Sequence, residues 1–141
     1  MKNNWLLSIM LIAAAMTSCG RGQGQAGDDA DSDNLRGWQW IADARRCLAD
    51  SDFVAARNCI DSLRTNCPMA LNAREQGILL LDSIELGEAR QQLKQAEAYA
   101  SRTDLNIYAR DSADTELDRA VTKVRFYEKK LTHDIANHQN H

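Results

Sequence analysis

The chain has 141 residues, of which 44% are hydrophobic and 26% charged, with a formal net charge of −3 and a single proline. That length suits one small domain, and the acidic balance excludes the basic footprint that nucleic-acid binding requires. Abundant Ala, Leu, Arg, Gln and Glu, beside few β-branched residues, point to helix throughout.

Met1 to Asn4 carries one basic residue, Lys2, and an apolar run follows from Trp5 to Met16. The run is shorter than the ~20 residues of a membrane-spanning helix, so residues 1–18 read as a secretion signal. It ends Met16-Thr17-Ser18-Cys19-Gly20, which resembles the lipobox of bacterial lipoproteins. Met16 stands where leucine is usual, a looser form found in bacteria of the Bacteroides group. The resemblance implies that Cys19 is the lipidated first residue of the mature protein. Gly20 after it resembles outer-membrane sorting, with the periplasmic and cell-surface faces both open. Each buried methylene of an acyl chain contributes about 0.8 kcal/mol, so the expected first partner is a membrane on which the protein is held without crossing it. Removal of residues 1–18 takes away Lys2 alone, which leaves 16 basic residues against 20 acidic ones and a net charge of −4.

Residues 19–34, glycine-rich and then acidic, read as the lipidated cysteine and a flexible tether, and residues 35–136 as one helical domain. Trp38, Ile41, Ala42, Ala44 and Leu48 recur at helical spacing, with Asp33 and Asn34 as candidate caps and Trp40 off the stripe. Asp50-Ser51-Asp52 is rich in capping residues and marks a turn. Phe53, Ala56, Ile60 and Leu63 then form a second stripe that ends before Pro68, and so short a turn forces the two helices antiparallel. Asp52-Phe53 in the turn, Ala56 at the crossing, the inward Ile60 and Leu63, and the closing Pro68 resemble a tetratricopeptide-type hairpin. A weaker second copy about 33 residues on sets Glu85, Leu86 and Ala89 opposite Asp52, Phe53 and Ala56. Residues 69–100 thus have two readings: a second hairpin turning at Asp82-Ser83-Ile84, or one continuous helix opening at Pro68 and roughly 45 Å long. The absence of Gly and Pro from Leu80 to Leu86 favours the single helix.

Residues 101–114 lose the periodicity and read as a connection, with Leu105, Ile107 and Tyr108 tucked against the helix ends. Leu117, Val121, Val124, Tyr127 or Glu128, and Leu131 give the next helix an apolar seam. A fold-back near residue 108 would set Leu93 beside Val124 and Leu86 near Leu131. The expected fold is all-α: a tetratricopeptide-like antiparallel helical hairpin followed by a long two-helix antiparallel coil, with residues 137–141 as a frayed tail.

Few residues carry chemistry. Cys47 and Cys59 are expected on consecutive helices at heights differing by more than a turn, and Cys59 and Cys67 about 12 Å apart, so free thiols are expected. His133, His138 and His141 form no defined cage, and neither a metal nor a cofactor is expected. Asp82 and Glu85 beside Ser83 read as caps or a solvated face rather than a catalytic pair, and no catalytic residue is assigned. Lys123 to Leu131 and Leu81 to Leu86 look similar to segments of small Bacteroides-group lipoproteins with no assigned activity. Trp40, Phe126 and Tyr127 are the candidate partner-binding residues. The expected role is a lipid-anchored envelope scaffold or adaptor for a protein partner, and not an enzyme. The alternative is a small ligand- or metal-binding lipoprotein that uses the groove between the hairpin and the long helices.

Overall fold

A computed structural model describes residues 25–139, which form four helices: α1 Gln25–Ala49, α2 Phe53–Asn66, α3 Leu71–Ala100 and α4 Ile107–Gln139. Residues 1–18, read as a signal, and Cys19 lie outside the described residues. No strand occurs among the described residues, and the fold is all-α.

The first hairpin turns where the sequence has its capping residues. Asp52 Oδ1 accepts a hydrogen bond from Ala55 N at 2.9 Å, which satisfies a donor that the first turn of α2 would leave unpaired. Ser51 takes the left-handed conformation, φ 59°, that reverses the chain. Ala56, Ile60 and Leu63 of α2 are buried against Ile41 and Ala44 of α1. The segment read as a tether is helical from Gln25 onwards. Two contacts help to pin it: Asp33 Oδ2 accepts from Met69 N at 3.2 Å, and Arg36 Nη2 donates to Asn66 O at 2.7 Å. Asp33 and Asn34 therefore lie inside α1 instead of capping it.

The segment from residue 71 to 100 is one helix, α3, 30 residues long. It opens three residues after Pro68, on Ala70, which offers no side-chain cap. At the point where a second tetratricopeptide-like turn was the competing reading, Asp82 and Ile84 are buried and the Ser83 hydroxyl donates back to Leu79 O. Two glycines that would weaken a free helix mark close approaches here. Gly77 lies against Leu63 and Ile41, and Gly87 lies under the Phe53 ring.

α3 is the spine of the molecule. Ala73, Leu80 and Ile84 face the α1–α2 hairpin, while Leu86, Ala89 and Leu93 face Val124, Tyr127 and Leu131 of α4. The fold-back register read from the sequence is the one observed. Among the described residues α4 packs on α3 and on neither α1 nor α2, so the hairpin and α4 occupy opposite flanks of one helix. α4 begins earlier than its apolar seam suggests. Asn106 Oδ1 accepts from Ala109 N and starts the helix at Ile107. Ile107 and Tyr108 are consequently exposed, not tucked, and the end of α3 is covered instead by Arg110, which donates to the carbonyls of Ala100 and Arg102. The tail reading is also revised, because α4 stays helical to Gln139. His138 Nδ1 donates to Glu75 Oε1, and Gln76 Nε2 donates to His138 Nε2, both at 2.9 Å.

Candidate functional site

Two ion-paired clusters run along α3. On the hairpin side, Arg57 of α2 donates through Nε to Glu85 Oε1 at 2.8 Å and through Nη2 to Glu88 Oε2. Hydrogen bonding to Arg57 holds the Glu85 carboxyl below the usual carboxylate range, against the opposing effect of burial. Both glutamates in turn hold the Arg57 guanidinium above its ordinary value. The Tyr127 hydroxyl of α4 is pushed up, first by burial and then by the nearby Glu85 charge.

The second cluster clamps α4 to α3. Lys130 Nζ donates to Asp82 Oδ1 at 2.5 Å and to Asp134 Oδ2 at 2.7 Å. The Asp82 side chain is 5% exposed, and its Oδ2 has no hydrogen-bond partner among the described residues. Burial raises the Asp82 carboxyl above its ordinary value despite Lys130, whereas the partly buried Asp134 is lowered by its bond to Lys130. Asp82 and Glu85, three residues apart, thus serve two different clamps and neither is a cap. Their pairing with cations compensates charge across helices. It places no nucleophile beside a base.

Cys47, Cys59 and Cys67 are free thiols. Cys47 nevertheless comes close enough to Cys59 to act on its thiol, which is pushed up by burial first and by Cys47 next. Of the histidines, His133 bonds to Asp134 and His138 to Glu75, while His141 lies outside the described residues. Among the described residues no group of three or more His, Cys, Asp or Glu side chains is placed to hold a metal.

The three candidate contact residues separate. Trp40 is partly buried and packs against the hairpin core, while Trp38, the expected core anchor, is 41% exposed. Their roles are exchanged because the inner face of α1 runs through Gly37, Ile41 and Ala44, and Trp38 lies a step to its side. Tyr127 is partly buried against the Leu86, Ala89 and Val124 cluster. Phe126 is 58% exposed and meets Tyr127 edge-on, with ring centroids 5.1 Å apart. Both aromatic rings line an open groove of about 620 Å³ on α4, together with Thr115, Asp118, Arg119 and Thr122. A smaller apolar cleft of about 230 Å³ lies at the far end of the α3–α4 pair, between Ile78, Leu79 and His138. No helix among the described residues is long and apolar enough to cross a membrane. Compared with known proteins, the chain matches no family model, no curated protein and no solved structure.

Proposed function

We propose that this is a lipid-anchored protein of the bacterial cell envelope, held at the outer membrane through Cys19, which acts as a helical scaffold or adaptor and not as an enzyme. Its contact surface is the outward face of α4. The observation that carries this reading is Phe126: a large ring left 58% exposed beside an open groove, on a helix that α3 holds in place through an apolar seam and the Lys130 clamp. Exposed aromatic anchors on pre-organised helices are where contact energy concentrates. A second reading, a small apolar ligand in the cleft between Ile78, Leu79 and His138, is favoured by the apolar lining of that cleft.

Two measurements test the proposal. Cys19→Ala should move the protein from the membrane to the soluble fraction. A photo-activatable side chain in place of Phe126 should form protein adducts in intact cells. Membrane retention of the Cys19→Ala protein refutes the anchor. Absence of adducts at position 126, together with co-purification of a small apolar molecule, refutes the scaffold in favour of the cleft.

A further inference from the structure

The outward face of α4 is complementary to its own reverse. Asp111, Thr115, Asp118, Thr122, Arg125 and Lys129 recur at alternating steps of four and three, and all are exposed. This is the spacing of a helix-pairing seam, and it lies opposite the buried seam of Ala113, Ala120 and Val124. Along it the charge changes sign at Thr122: Asp111 and Asp118 precede it and Arg125 and Lys129 follow, with Asp114 beside the seam on one side and Arg119, paired with Glu116, on the other. Asp114, Asp118, Arg125 and Lys129 form no ion pair with another of the described residues.

We infer that α4 pairs antiparallel with the α4 of a second copy of this chain, about a two-fold axis passing between Val121 and Thr122. The inference rests on the reading of this face as a contact surface and names its partner. An antiparallel pairing matches each residue with the one equally far beyond the axis. Asp118 then faces Arg125, and Asp114 faces Lys129, because both pairs share one midpoint. Symmetry makes each pair twice. Phe126 falls on the other side of the seam, over Thr115, Asp118, Arg119 and Thr122 of the second copy. Those four stand at the i, i+3, i+4, i+7 spacing of a hole that receives a knob, and they line the groove of about 620 Å³. The Arg119 guanidinium is then placed against the ring face of Phe126. A parallel pairing sets Asp118 against Asp118 and Arg125 against Arg125, and so is disfavoured. Four surface ion pairs and two aromatic knobs make a weak dimer in solution, and confinement to a membrane raises its effective concentration.

The test uses the full lipidated chain in vesicles of neutral phosphatidylcholine, oxidised briefly and compared with the unsubstituted chain, whose own cysteines set the background. Thr122→Cys lies at the axis and should give a disulfide-linked dimer. Lys129→Cys alone should give none above background, while a mixture of Asp114→Cys and Lys129→Cys chains should. By sedimentation in neutral detergent, Phe126→Ala and Asp118→Arg should each weaken dimerisation about tenfold, and Asp118→Arg with Arg125→Asp should restore it. Circular dichroism confirms that each variant is folded. A folded Thr122→Cys chain that cross-links no more than background overturns the inference, as does Lys129→Cys cross-linking to itself as readily as Thr122→Cys. If Thr122→Cys gives no dimer while the probe at position 126 captures a different protein, the second copy is the wrong partner and the contact reading stands. If neither position yields a protein adduct, both fall.

Discussion

Replacing Lys130 with methionine isolates the most consequential charge in the fold. Methionine keeps most of the aliphatic stem and removes the ammonium that bridges Asp82 and Asp134. Asp82 is then a buried carboxylate with no counter-charge in contact and with its second oxygen already unpartnered. Breaking a fully buried ion pair costs roughly 3–5 kcal/mol. Lys130 is 39% exposed and water reaches it, so the cost is scaled down to about 2 kcal/mol at neutral pH. For a domain of this size that lowers Tm by roughly 6–12 °C. Asp82→Asn should cost less than 1 kcal/mol, since the amide oxygen still accepts from Lys130 and no buried charge remains. The pH dependence has a definite sign. Asp82 has a raised folded pKa, so the folded chain holds its proton more tightly, and stability falls as pH rises through the window above the unfolded value. Loss of Lys130 raises that pKa further and also removes the chief cause of the lowered Asp134 pKa. Both changes make the Lys130→Met penalty shrink as pH falls from 7 to 4.5. Urea unfolding of the full chain followed by circular dichroism at the two pH values measures it. A penalty independent of pH, or an Asp82→Asn variant less stable than Lys130→Met, refutes this account of the clamp.

A Cβ at Gly37 would stand 2.8 Å from Ala70 Cβ and 2.9 Å from Ala73 Cβ, atoms fixed to backbone. Gly37→Ala should therefore lose about 1–3 kcal/mol in urea titration despite its better helix propensity. At Gly87 the near neighbour is Phe53 Cε1, the edge of a ring that can shift, so Gly87→Ala should stay within about 1 kcal/mol of the parent. Ser51→Gly should raise stability by up to about 1 kcal/mol, because Ser51 sits at φ 59° where glycine carries no Cβ penalty; a loss would show that its side chain matters more than its backbone. Ile84 is fully buried at the core of the spine, and Ile84→Ala should cost about 2–5 kcal/mol by the same titration.

Apolar spacing reports where a helix buries itself, and here it was enough to place the two helix pairs and the α3–α4 register. It says less about ends and about polar faces. The start of α4 at Ile107 is decided by a single side-chain hydrogen bond that Asn106 accepts from Ala109 N, and the continuation of α1 back to Gln25 is pinned by Asp33 and Arg36 reaching the α2–α3 connection. The two α1 contacts join residues 36 and 30 positions apart, and a lone cap such as Asn106 is one residue, so neither leaves an apolar periodicity. The charge clamps are hidden for the same reason: Arg57 with Glu85, and Lys130 with Asp82, become pairs only after the helices have packed. Trp38 and Trp40 show the limit most sharply. A two-residue offset turns a side chain by roughly 200° about the helix axis, so a stripe drawn through the larger neighbours chose the wrong indole, while Gly37 marked the true inner face by having no side chain at all. In an antiparallel fold with one shared spine, a glycine where two helices touch says more about orientation than the aromatic residue beside it. On the outside of α4, Asp118 and Arg125, which form no ion pair with another of the described residues, add a charge pattern to the exposed ring of Phe126, and the two together are the basis for proposing that face as a contact surface.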